Sequence, residues 1–162
     1  MEIQFSLAWI RSGNPKPRDF KFEACYRLFC EYLGRISKFV SCEATTFRFD
    51  KCARKPAVKV WLCERSHGAL ELDSQELAAA LKTVLHSGVR VLQIVVGGPD
   101  GFSGQDIERL HPDLKWSFGK LTLPHELAAV VASEQIYRAW TILRRFPYHN
   151  GHDGASGKNR KG

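Results

Sequence analysis

Large apolar residues recur along this chain with two different periods. Over Asp19–Ile36 they stand three or four apart (Phe22, Tyr26, Phe29, Leu33, Ile36), which places them on one face of a helix, with Asp19 as the expected N-cap. Leu77, Leu81 and Leu85 repeat that spacing after Asp73-Ser74-Gln75-Glu76, a capping sequence with an acid in its first turn, and Gly88 ends the stretch. A short helix is expected over Gln105–Leu110. A longer one opens at Pro124, a residue favoured at the first helical position, and runs to about Arg145 with Pro147 as its stop. Between these lie four predicted strands, Glu2–Ile10, Phe39–Phe49, Ala57–Cys63 and Val89–Val96. The last is a β-branched run, suited to a parallel strand covered on both faces. Strands alternating with helices predict an α/β fold with a largely parallel sheet.

Composition sets the boundaries of that fold. A chain of 162 residues with 44% hydrophobic and 25% charged residues fits one water-soluble domain able to bury a core without metal or disulfide. After His149 the sequence becomes glycine-rich and basic with no large apolar residue. The expected organisation is a single domain, 1–149, and a flexible basic tail, 150–162. No apolar run is long enough for a membrane span, and the start, Met1-Glu2-Ile3-Gln4-Phe5, carries an acid where a secretory leader needs basic residues. A cytoplasmic location is therefore expected.

The net charge of +7 attracts polyanions, so nucleic acid is the first partner to consider, beside the plainer reading of a protein that is simply basic. Cys25, Cys30, Cys42, Cys52 and Cys63 are odd in number and lack C-x-x-C spacing, which fits reduced thiols rather than disulfides or a metal site. The glycine turn Gly97-Gly98-Pro99-Asp100-Gly101 follows a predicted strand but matches neither the dinucleotide nor the P-loop pattern. A dinucleotide fold would also place its glycine loop after the first strand, where this chain has Arg11–Pro17.

Two segments carry more. Val95-Val96-Gly97-Gly98-Pro99-Asp100-Gly101-Phe102 is followed by Trp116-Ser117-Phe118-Gly119-Lys120-Leu121-Thr122-Leu123-Pro124-His125, then Glu134-Gln135-Ile136-Tyr137-Arg138-Ala139-Trp140 and Pro147-Tyr148-His149. In order, spacing and residue type this series resembles the RlmH family of SPOUT-class ribosomal RNA methyltransferases, closely over 59–149 and more loosely before. The chain departs from the family pattern at Ser66-His67 (usually Gly-Lys), at Gly119 (usually Ser) and in the short, basic stretch Cys42–Ala57.

The resemblance implies a SPOUT-type sheet with helices on both faces and a C-terminal trefoil knot, a rare exception to ordinary topology that periodicity cannot reveal. It implies S-adenosylmethionine as cofactor, held by Leu62, Gly97 and the run Phe118, Gly119, Lys120, Leu121, Thr122 and Leu123. It also implies a homodimer, and methylation of N3 of a pseudouridine in 23S rRNA, within the large subunit or assembled ribosome. That nitrogen is a weakly acidic imide, for which a base or a cationic stabiliser helps. Candidates are Tyr148, His149 and Arg138, with His125 behind them; Arg138 follows Glu134 by four residues, which equally suits an intrahelical ion pair. A catalytically silent RNA- or ribosome-binding protein of the same fold is the alternative, resting on Ser66-His67 and Gly119.

Overall fold

The computed structural model describes residues 1–50 and 56–147. Six strands form one sheet: β1 Glu2–Leu7, β2 Ser41–Thr46, β3 Val58–Cys63, β4 Leu70–Glu71, β5 Val91–Val96 and β6 Leu114–Ser117, in the order β2-β1-β5-β3-β6-β4. Every pairing is parallel, so neighbours are reached by crossovers. Most of the crossovers carry a helix: α1 Glu23–Ile36, α2 Ser74–His86 and α3 Gly104–Leu110, with α4 His125–Leu143 closing the described chain. The expected α/β architecture is the one observed.

Side-chain alternation along the strands divides the core in two. Ile3, Phe5 and Leu7 of β1, Trp61 of β3, and Leu92, Ile94 and Val96 of β5 pack with α1, α2 and α4. Val60, Leu62 and Val95 point to the other side, where α3 lays Ile107 and Leu110, and Phe47, Phe49 and Phe102 complete the cover. β5 is central, and its residues from Leu92 to Val96 are all 2% exposed or less, as the sequence predicts for a strand covered on both faces. One polar residue intrudes. The Gln93 side-chain NH2 donates to Gln4 Oε1 (3.1 Å) and Ser6 Oγ (2.9 Å), while its Oε1 is buried with no partner among the described residues.

α4 packs against both α1 and α2. Its inner face carries Ala129, Ala132, Ser133 and Ala139, small enough to bring the helix close to its neighbours, with Val130, Ile136 and Trp140 filling the gaps between them.

Several boundaries differ from expectation for identifiable reasons. Asp19 does not cap α1: it belongs to a 3₁₀ turn, Pro17–Asp19, where its carboxylate accepts the Lys16 N–H (2.8 Å). The helix begins four residues later, at Glu23. The strands expected over 2–10 and 39–49 stop at Leu7 and Thr46, where pairing ends. β6 and the two-residue β4 carry no sequence signal of their own, being too short to show a period. α4 ends before Pro147 through its own backbone: Arg145 takes φ 55°, its N–H reaches the Ile142 carbonyl (3.1 Å), and the Phe146 N–H reaches that of Thr141 (2.8 Å). This is a Schellman motif with arginine where glycine is usual, and Phe146 packs edge-on against Phe39 (5.6 Å) beside it.

Candidate functional site

Because all strands run the same way, the loops leaving β3, β5 and β6 emerge at one edge of the sheet. The chain leaving β5 turns into α3 on one face, while that leaving β6 crosses into α4 on the other. A crevice opens where such connections part. It has a volume of about 610 Å³, lined by residues 63–65, 96–101, 116, 118, 119, 121–125 and 128, a size typical of ligand pockets.

Of the residues expected to hold a cofactor, Gly97, Phe118, Gly119, Leu121, Thr122 and Leu123 line this cleft. Leu62 does not. It is fully buried among Val60, Val95 and Leu110 behind the sheet, and its neighbour Cys63 forms the wall instead. Lys120 is also outside the wall; its carbonyl accepts a hydrogen bond from the Arg65 guanidinium. Arg138 lies well down α4, where its Nη2 meets Glu134 Oε1 at 2.8 Å with its side chain 30% exposed. Tyr148 and His149 lie outside the described residues.

Local chemistry explains the walls. A Cβ on Gly97 would stand 3.2 Å from Gly101 Cα and 3.4 Å from the Phe102 ring, so this glycine serves the packing of its own turn. Gly101 closes that turn by donating to the Gly98 carbonyl (3.0 Å) at φ +67°, a backbone region that favours glycine. On the opposite side, buried Trp116 meets Trp61 edge-on (6.3 Å) and Phe118 edge-on (4.8 Å), which fixes the Phe118 ring against the core. Gly119 follows at φ +96°, and its N–H donates to the Ser117 hydroxyl (3.2 Å).

His125 packs edge-on against Trp9 at 4.7 Å. Next to it stands Glu126, 3% exposed, to which the sequence alone assigns no role. Its carboxylate accepts the N–H of Lys21 (2.5 Å) and of Phe22 (3.0 Å), the two amides that lead into α1. No side chain of α1's own N-terminus does this work, and an anion there also suits the helix dipole. An acid in the first turn of a helix ordinarily reads as a solvated partner of that helix, so no sequence signal marks its service to another.

Two acids, Glu64 and Asp100, stand on the wall with Arg65 and His125. α4 begins there without a side-chain cap, leaving amides that favour an anionic group. Burial, reinforced by the Glu64 charge, pushes the Cys63 thiol above its usual range. Cys63 should therefore alkylate far more slowly than a free thiol at pH 8; rapid labelling by peptide mass spectrometry would contradict a neutral, inert wall residue. Together the cleft offers apolar walls and irregular main chain for a flat heterocycle, carboxylates for a cationic group, and helix amides for an anionic one.

This geometry can be set beside known proteins. A family model described as "Predicted SPOUT methyltransferase" matches residues 19–149. The ribosomal RNA large subunit methyltransferase H of Koribacter versatilis is 37% identical over 140 residues, 82% of this chain and 92% of its own. That of Coxiella burnetii is 43% identical over 148 residues, 88% and 91% respectively. Other relatives match more locally: the Acidithiobacillus ferrooxidans protein is 48% identical over 80 residues, about half of each chain. A methyltransferase structure from Legionella pneumophila with bound S-adenosylmethionine aligns distantly, at TM-score 0.45 and 15% identity, over 86% of this chain and 66% of that one. The match across both the cleft loops and α4 means that this chain belongs to the SPOUT methyltransferase family, among the ribosomal RNA large subunit methyltransferases H.

Proposed function

We infer that this protein is an S-adenosylmethionine-dependent ribosomal RNA methyltransferase whose target is N3 of a pseudouridine in 23S rRNA. The observation that carries the reading is the coincidence of the family match with the cleft: the loops of 96–101 and 118–125 that form its walls lie inside the matched region. In the same reading, the segment from β5 through α4 forms the family's trefoil knot.

S-Adenosylmethionine, when bound, supplies an electrophilic methyl carbon on a sulfonium. The residues present suit it. Phe118, Leu121 and Leu123 give apolar surface for the adenine faces, and the main chain of 121–123, which also lines the cleft, supplies donors and acceptors for its edge. Glu64 and Asp100 favour a positively charged donor over the neutral product left after transfer, which helps exchange. The protein's main task is alignment of donor and acceptor. Arg138, Tyr148 and His149 are the proposed acceptor-side groups, with the arginine stabilising negative charge on the imide as its proton leaves.

A homodimer fits the outer stripe of α4. Leu127 is 40% exposed, and Val131 and Ile142 flank the Glu134–Arg138 pair along the same side. An isologous contact there would cover this stripe and bring Arg138 of each subunit toward its partner. Among the described residues no helix is long and apolar enough to cross a membrane. A ribosomal substrate accords with a place in the cytoplasm.

The decisive test is mass spectrometry of 23S rRNA from a strain lacking the gene. Loss of one methylpseudouridine, restored by the gene in trans, is expected. Persistence of that methyl group would refute the substrate assignment.

A further inference from the structure

We propose that Arg65 is a positioning residue: it spans the mouth of the cleft and holds the main chain of 120–123 in the shape that grips the methyl donor. This rests on the reading of the cleft given above. The loop after β6 is poorly held by anything else. Residues 120–122 are exposed, and Leu121 is 76% exposed. Ser117 ties down Gly119 and goes no further. Among the described residues, the hydrogen bond that reaches 120–123 comes from the Arg65 guanidinium to the Lys120 carbonyl.

Arg65 is itself well based. The Glu64 N–H before it donates to the Trp116 carbonyl (3.0 Å), and Lys115 Nζ donates to the carbonyl of His67 just after it. The short loop after β3 is therefore fastened to β6 on both sides of Arg65. A fixed base and a charge-assisted bond make the side chain a strap between the two lips of the cleft, and Arg65 lines the cleft as it crosses. Gly119, at φ +96° and held at both its N–H and its carbonyl by Ser117, is the last fixed residue before the tethered carbonyl. The exposed stretch beyond it must be ordered when ligand binds, and a strap already in place removes much of that entropic cost.

The test uses the full chain with Arg65→Met, which keeps length without the donor, and Arg65→Lys, which keeps one charged donor. S-Adenosylmethionine binding is measured by titration calorimetry, and steady-state transfer on ribosomes from the deletion strain. For Arg65→Met, the Kd and KM for S-adenosylmethionine should rise about tenfold, the loss of one charge-assisted hydrogen bond. kcat, the KM for ribosomes and the melting temperature should stay unchanged, and Arg65→Lys should fall between. An unchanged or tighter Kd in Arg65→Met would overturn the proposal, as would a raised KM for ribosomes alone, which would make Arg65 an RNA contact. Failure of the wild-type chain to bind S-adenosylmethionine would instead overturn the cleft assignment, and the strap with it; the ratio of variant to wild type tests the strap alone.

Discussion

Glu126→Ala should destabilise the fold by about 3 kcal/mol, since it removes two hydrogen bonds to a charged acceptor. For a chain of this size that corresponds to a fall of roughly 6–12 °C in melting temperature, readable by calorimetry. The carboxylate is 3% exposed and bonds to Lys21 and Phe22, more than a hundred positions earlier in the chain. Its loss therefore unties the start of α1 from α4, while the packed faces of the two helices stay in contact. Glu126→Gln, which keeps one acceptor oxygen, should lose about half as much. Because His125 stands beside it on the cleft wall, Glu126→Ala should also weaken cofactor binding. A variant melting within about 2 °C of wild type would show that the tie contributes little.

The second large effect is expected at Arg138. Arg138→Ala should lower kcat for methyl transfer about a hundredfold, the usual cost of removing one group that stabilises developing charge, while the Kd for S-adenosylmethionine stays constant. The ion pair with Glu134 gives the control. If Arg138 matters only as half of that pair, Glu134→Gln should cost as much as Arg138→Ala. If it acts on the acceptor, Glu134→Gln should retain most activity. Equal losses in the two variants would remove Arg138 from the catalytic set.

What the chain revealed beforehand followed the strength of local signals. The stripes of α1, α2 and α4 and the β-branched run of β5 each bury enough apolar surface to impose a period, and each was placed within a few residues. β6 could not be found that way, since Leu114–Ser117 has four residues and gains its place from pairing with β3 and β4. Asp19 was misassigned because an Asx side chain competes for nearby amides in a turn as readily as it caps a helix. The cleft loops were legible through their resemblance to a family, and the structure refines them. Leu62 belongs to the hydrophobic layer behind the sheet, which no spacing rule distinguishes from a wall one residue away. Glu126 and Arg65 were missed for a different reason: their partners are remote backbone atoms, and backbone atoms leave no trace in a sequence.

The strand order has a consequence for how the chain is made. β5 stands between β1 and β3, so the first half of the protein emerges from the ribosome as two fragments with no shared edge. β1 and β2 can pair early, whereas β3 has no neighbour until residues 91–96 arrive to join them. Folding of this parallel sheet must wait for that late keystone, and in the interval apolar strand edges stand open to other nascent chains. A polypeptide interrupted before Val91 is accordingly destined for a chaperone or a protease, and none of it can do the work of the finished enzyme.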